Sequence, residues 1–359
     1  MSLVSELNNI ADELVECHTN LKNNLIAKGV ECSEEDKMSS LIDKVKDTQY
    51  IEGYNKLPKW YTSFKVEDYW FECESMSIGR ANLTSSVVGE KIYILGGRDK
   101  VNSITSSNEC YDTKSNNWYT MKNMTTAREV ATSSAVDNKI YVIGGYNSSG
   151  FLLTNECYDP STDTWTTKKS MNNYRGGLTS SVVNDKIYCI CGMYVNQIYH
   201  IINECYDPST DTWTTMAPST CRSRTGLTSS VVNDKIYCIG GYYSSGSVYY
   251  SLNINECYNP STNTWTVMKS MGDIRSNLVS DTVNDKIYCI NGEYINGSVN
   301  YKLNINECYD PNTDTWTTMR STKTKKAYST SSAVDGRIYV LGGRDSDNEY
   351  LSTNECYIP

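Results

Sequence analysis

The chain has 359 residues and a formal charge of −9, from 33 Lys and Arg against 42 Asp and Glu. An acidic chain without basic clusters excludes a partner held by its phosphate backbone, so no nucleic-acid role is expected. No apolar run reaches the ~18–20 residues of a membrane helix, and the polar start Met1–Ile10 lacks the apolar core of a secretion signal.

Residues 1–48 read as helical. Leu3, Leu7, Ile10, Leu14, Cys17 and Leu21 alternate steps of four and three, the seam of a coiled coil. Gly29 suits the end of that helix, and Ser33 with Asp36 starts a second, whose Met38, Leu41, Ile42 and Val45 share a face. A helix this short is stable only when packed. The expectation is self-association, as a trimer, or attachment to another protein; the alternative is a hairpin folding on itself or onto the rest of the chain. Residues 49–66 form a linker.

From residue 67 to 359 one unit recurs six times. Each copy has a Ser-Ser-Val-Val-like stretch (strand a), Lys-Ile-Tyr-x-Ile-Gly-Gly (b), a variable loop, Asn-Glu-Cys-Tyr-Asp-Pro (c) and Thr-x-Thr-Trp-Thr-x-Met (d). The tryptophans Trp70, Trp118, Trp165, Trp213, Trp265 and Trp316 are spaced by 48, 47, 48, 52 and 51 residues. Such a period signals a stacked or circular array, and four short antiparallel strands per copy make a propeller blade. The last copy ends after strand c at Pro359, while residues 68–76 hold a d strand with no a, b or c before it. Pairing 68–76 with Asn354–Tyr357 yields six complete blades and no open edge. The expected fold is therefore all-β, a six-bladed propeller closed by its N-terminal d strand and preceded by a small helical region.

The Gly-Gly doublets (Gly96-Gly97, Gly144-Gly145, Gly240-Gly241, Gly342-Gly343), the Tyr-Asp/Asn-Pro turn and the following Trp resemble the kelch family over about four-fifths of the chain. Two doublets depart from the pattern, as Cys191-Gly192 and Asn291-Gly292, so the second glycine marks the position with special backbone needs. The resemblance implies the propeller; its functional content is small, since kelch propellers include enzymes, adaptors and binding modules. The stretch Asn20–Val45 resembles a segment shared by bacteriophage tail and tail-fibre proteins, where it lies near the attachment end.

Of 14 cysteines, six occupy one strand-c position, a whole blade apart and beyond bridging distance. They read as buried free thiols formed in a reducing compartment. With only His18 and His200 present, no metal site or cofactor is expected.

Strand parity sends b–c and d–a connections to one face and tight turns to the other. Variable loops on a repeat scaffold are where binding resides. Tyr194, Tyr242, Tyr243, Tyr249, Tyr250 and Tyr294 fall in the b–c loops, among Ser, Gly and Asn, the chemistry of adaptable recognition surfaces. The loops of units four and five are expected to form an off-centre patch. The same face carries six equivalent cations, Arg80, Arg128, Arg175, Arg224, Arg275 and Lys326. They read either as a ring for an anionic ligand, since guanidinium matches its oxygens in pairs, or as partners of strand-c glutamates. No two carboxylates recur at a spacing suited to acid–base catalysis. The expected function is a non-catalytic phage tail component, in a virion tail assembled in the bacterial cytoplasm, joined to other tail proteins through residues 1–48 and binding a host-surface glycan or protein through the b–c loops. The alternatives are a glycan-modifying kelch enzyme, such as a sialic-acid mutarotase or hydrolase, and an intracellular kelch adaptor.

Overall fold

The computed structural model describes residues 68–194, 198–220 and 222–359. The expected helices of 1–48, with Leu3, Leu7, Ile10, Leu14 and Leu21, and the linker 49–66 lie outside these. Among the described residues the fold is all-β and propeller-like, without a helix.

The repeat forms six four-stranded sheets, each in the order a-b-c-d. In the first, Thr84–Val88, Lys91–Leu95, Asn108–Asp112 and Asn117–Thr120 pair antiparallel. In repeats two to six the a–b turns place two successive residues at positive φ, as in Asp137-Asn138 and Asn184-Asp185. Asn, Asp and Gly tolerate that geometry, whose twist matches the flanking strands. In the last sheet the d position is taken by Tyr69–Cys73, which pairs with Asn354–Ile358 so that Trp70 faces Tyr357 and Phe71 faces Cys356.

Three sets of contacts join neighbouring repeats, and in each the sixth joins repeat six to repeat one. The strand-b tyrosines touch the strand-c tyrosine of the next repeat at 5.7–5.8 Å between ring centres, from Tyr93–Tyr158 to Tyr339–Tyr111. Each tryptophan indole donates to a backbone carbonyl of the preceding repeat: Trp118 to Glu74 and Trp165 to Lys122, with Trp70 reaching Arg320 at 2.8 Å. The residue just before each strand d accepts both from the repeat's own strand-c phenol and from a backbone N–H of the preceding repeat. Asp163 serves Tyr158 and Lys122 in this way, and Asp68 serves Tyr357 and Arg320.

Apolar clusters fill the spaces between sheets, and the strand-c cysteines sit in them as free thiols: Cys157 packs with Tyr141 and Ile143 of its own repeat and with Ile187 and Cys189 of the next. Toward the axis, strand a carries a belt of hydroxyls. In five of the six strands the second residue is gripped by the first and third of the preceding one, as Ser133 is by Thr84 and Ser86 (both 2.8 Å) and Ser180 by Thr132 and Ser134.

The doublet explains its own pattern. The first position lies at φ 58–67°, left-handed backbone that Cys191 and Asn291 also adopt, whereas the second lies at φ 94–106°, where only glycine is found. A Cβ on Gly145 would also stand 2.8 Å from the Glu129 carbonyl oxygen.

Because Trp70 stacks on Tyr357 at 4.8 Å as its counterparts do on theirs, Trp70→Ala is expected to cost about as much as Trp165→Ala, roughly 2–4 kcal/mol in urea unfolding. A negligible cost at Trp70 alone would mean that the first strand does not hold the last sheet.

Candidate functional site

The d–a and b–c connections lie together on one face, since their backbones hydrogen-bond, for example Met124 N–H to Ser106 O and Glu129 N–H to Tyr146 O. The six repeat cations sit beneath this face, at 0–2% exposure. Each pairs with the strand-c glutamate of its own repeat: Arg80 with Glu109, Arg128 with Glu156 (2.5 Å), Arg175 with Glu204 (2.5 Å), Arg224 with Glu256 (3.0 Å), Arg275 with Glu307 (2.6 Å) and Lys326 with Glu355 (2.5 Å). Four of the arginines also donate to the carbonyl of the first doublet residue, including Arg175 to Cys191 (2.9 Å) and Arg275 to Asn291 (3.0 Å). That carbonyl exists whatever the side chain, which is why this position varies. Burial pushes Arg80, Arg128 and Lys326 below their usual pKa, with the glutamate opposing. The ring of cations open to an external anion is thereby corrected: a ligand would have to displace a buried glutamate from each.

Two residues beyond each cation the backbone turns into the left-handed region, at Asn82, Val130, Gly177, Gly226, Asn277 and Tyr328 (φ 48–61°). The turn aims each peptide at its neighbours. Asn82 N–H donates to Tyr328 O, Val130 to Asn82, Gly177 to Val130, Gly226 to Gly177, Asn277 to Gly226 and Tyr328 to Asn277, at 2.7–3.1 Å. The backbones of six residues, one per repeat, thus form an unbroken hydrogen-bonded ring.

The sequence reading named Tyr242 among the residues bordering this ring but not the set they form. They follow the doublet directly: Arg98, Tyr146, Met193, Tyr242, Glu293 and Arg344. Each pairs through its backbone with the residue just before the ring position, from Ala81↔Arg98 to Ala327↔Arg344. The signal available in sequence was their difference from one another at a fixed place in an otherwise repetitive unit.

Their chemistry is lopsided. Glu293, with no exposure, accepts from Asn277 Nδ2 (2.7 Å) and from the Tyr328 hydroxyl and pairs with Lys302 Nζ (2.5 Å), whose ammonium lies 4.9 Å over the Tyr328 ring. Arg98 pairs with Glu129, the residue following the next repeat's cation, and Asn82 donates to the same carboxylate (2.9 Å). At the equivalent place Arg344 faces a repeat where that residue is Ala81. Among the described residues Arg344 has no carboxylate partner: its Nε donates to Asn348 O (3.3 Å) and its guanidinium lies 4.9 Å over the Tyr350 ring.

The loops of repeats four and five share one four-stranded sheet, Tyr242–Ser245, Val248–Ser251, Glu293–Asn296 and Val299–Lys302, joined across repeats at Tyr250↔Asn296. The two loops are therefore brought together as expected of a single patch. Within it the tyrosines pair: Tyr243 stacks on Tyr250 (5.4 Å), Tyr294 on Tyr301 (5.2 Å), and Tyr242 meets Tyr249 edge-on (6.0 Å). Arg222 lies 4.0 Å over the Tyr243 ring. Tyr242, Tyr243, Tyr249, Tyr250 and Tyr294 are half-buried, while Tyr301 is 51% exposed. Tyr194 is exposed, apart from this sheet, stacked with Tyr174.

Family models match this architecture: the KLHDC2/KLHL20/DRC7 Kelch-repeats domain over residues 71–241, and the Kelch motif over 223–272 and 325–359. These are kelch repeats. An F-box/kelch-repeat protein of Arabidopsis thaliana is 29% identical over 28% of this chain and 26% of its own length, and Kelch-like protein 24 of Rattus norvegicus 29% identical over 29% of this chain and 16% of its own. The chain thus spans about a quarter or less of the length of these curated relatives. The solved structure of YjhT aligns with a TM-score of 0.70 at 16% identity, covering 79% of this chain and 95% of that one, a likeness of fold. The residues matched by the family models do not include the segment Asn20–Val45 that resembles phage tail proteins.

Glu204→Gln would leave the Arg175 guanidinium charged and without its counterion at 0% exposure. The kelch scaffold is expected to lose about 3–5 kcal/mol in urea unfolding, whereas a cost below about 1 kcal/mol would show that these pairs do not hold the sheets.

Proposed function

We propose that the chain is a kelch recognition module, a closed wheel of six blades fastened by Tyr69–Cys73, which binds an acidic partner at the centre of its b–c loop face. The observation that carries the reading is Arg344, a cation beside the peptide ring whose repeat-equivalent has a glutamate and which has none. Guanidinium without a counterion suits a carboxylate or phosphate held in paired hydrogen bonds. The tyrosine sheet of repeats four and five supplies flat amphipathic surface beyond it. Glu129 and Glu293 are each held by a cation, so the ring border favours binding over acid–base chemistry. The names of the curated relatives, F-box/kelch-repeat and Kelch-like, accord with a module that presents such a face to a partner. Attachment to a phage tail through residues 1–48, self-association as a trimer and the absence of catalysis rest on the sequence alone. A second reading, a glycan-modifying enzyme, is favoured by the buried Glu293 and Tyr328 hydroxyl beside the ring.

The test is binding to arrayed sialylated and uronate glycans and to acidic peptides, with turnover of the bound sugars followed in parallel. Binding is expected to weaken at least tenfold, about 1.4 kcal/mol or more, in Arg344→Ala at unchanged unfolding midpoint, and to weaken with salt. Equal binding by Arg344→Ala, or no binding by either protein, would overturn the anionic site; turnover that survives purification would favour the enzyme.

A further inference from the structure

The hydroxyl belt of strand a is broken at one boundary. Five strands begin Thr-Ser-Ser, but the fifth, Val279–Val283, reads Val-Ser-Asp-Thr-Val. Val279 and Asp281 therefore stand where a threonine and a serine hold the next repeat's serine elsewhere, and Ser331 meets a carboxyl in place of two hydroxyls. Asp281 has Val279 and Val283 on its own side of the strand. Both belong to the apolar cluster between repeats five and six, with Tyr288, Ile290 and Cys308 of one sheet and Ile338, Val340 and Tyr357 of the other. The Ser331 hydroxyl and Ala333 N–H face the carboxyl, yet its Oδ2 is buried without a partner, although the residue as a whole keeps some accessible surface. The titratable groups of that cluster are Tyr288, which pairs with Asp281 across the strands, Cys308 and Tyr357; burial pushes the Cys308 thiol and the Tyr357 phenol up.

We propose that Asp281 makes the boundary between repeats five and six a proton-operated seam, tight when the carboxyl is protonated and looser than the other boundaries once it is ionised. An ionised carboxylate with one unpartnered oxygen in apolar packing carries a desolvation cost that a serine does not. Burial pushes the Asp281 carboxyl up to about 7, against the weaker opposing effect of Ser331 and Ala333. The folded state then holds a proton that the unfolded chain releases near pH 4. Stability is full below that and is lost as pH rises to about 7, after which it is flat. The loosened boundary lies in the sheet that the first strand completes, since Trp70 packs on the same cluster. It also lies under the Glu293–Tyr328 contact between the same two repeats. The seam stands whether or not the loop face binds an anion.

The test uses the full chain, Asp281→Asn, which keeps the shape without the charge, and Asp281→Ser, which restores the repeat. Unfolding midpoints are measured from pH 4 to 8.5, and alkylation of Cys308 at this boundary is compared with that of Cys157 at another. The wild-type midpoint is expected to fall relative to both variants between pH 4 and 7, and the Cys308/Cys157 labelling ratio to rise severalfold over that range in the wild type alone. A constant offset between wild type and variants, or the same ratio in all three proteins, would overturn the proposal. If one variant fails to fold, the other decides it.

Discussion

A ring of six peptide hydrogen bonds, from Asn82 through Tyr328 and back, is the constraint on which the loop face depends. In each of the six residues the N–H donates to one neighbour and the C=O accepts from the other, and all six have left-handed backbone. For glycine this is easy and for asparagine tolerable, but for Val130 and Tyr328 it is strained, and the surroundings must hold it. Two residues earlier in each repeat stands the buried ion pair, which ties the approach to the ring to strand c and, in four repeats, to the doublet carbonyl. Removing the pair would free the turn, and the border residues would lose their places.

The repeat divides labour between positions that recur and positions that do not. Recurrent chemistry is spent inward. The cation meets its glutamate, the strand-b tyrosine meets the next strand-c tyrosine, and the indole meets a carbonyl of the preceding repeat. Each contact is modest alone, but a circular set allows no sheet to leave without breaking contacts on both sides. Chemistry that varies borders the peptide ring, where Arg98, Glu293 and Arg344 occupy one equivalent place with different charge.

That division explains what was legible in the sequence. Spacing of the tryptophans and alternation in four short segments suffice for the all-β array, because each copy repeats the same local instruction. The second glycine was legible too, since φ near +100° admits little else. The unpaired thiols follow from cysteines a blade apart. Arg80 and its equivalents were harder: a cation near a loop face suggests exposure, and only the equal recurrence of Glu109 and its equivalents pointed to an internal pair. Arg344 was not legible, because its meaning lies in Ala81, more than two hundred residues away in sequence and adjacent only when repeats six and one meet. The joining of loops four and five through Tyr250 and Asn296 likewise depends on the spacing of neighbouring sheets.

The peptide ring is tested most directly by native-state hydrogen exchange at the amides of Asn82, Val130, Gly177, Gly226, Asn277 and Tyr328. A continuous ring requires all six to be protected to a similar degree, although they lie beside the loops, with Asn82 as slow as Gly226. Rapid exchange at Asn82 with protection at the other five would mean that repeats six and one do not meet, and the place assigned to Arg344 beside the ring would be contradicted.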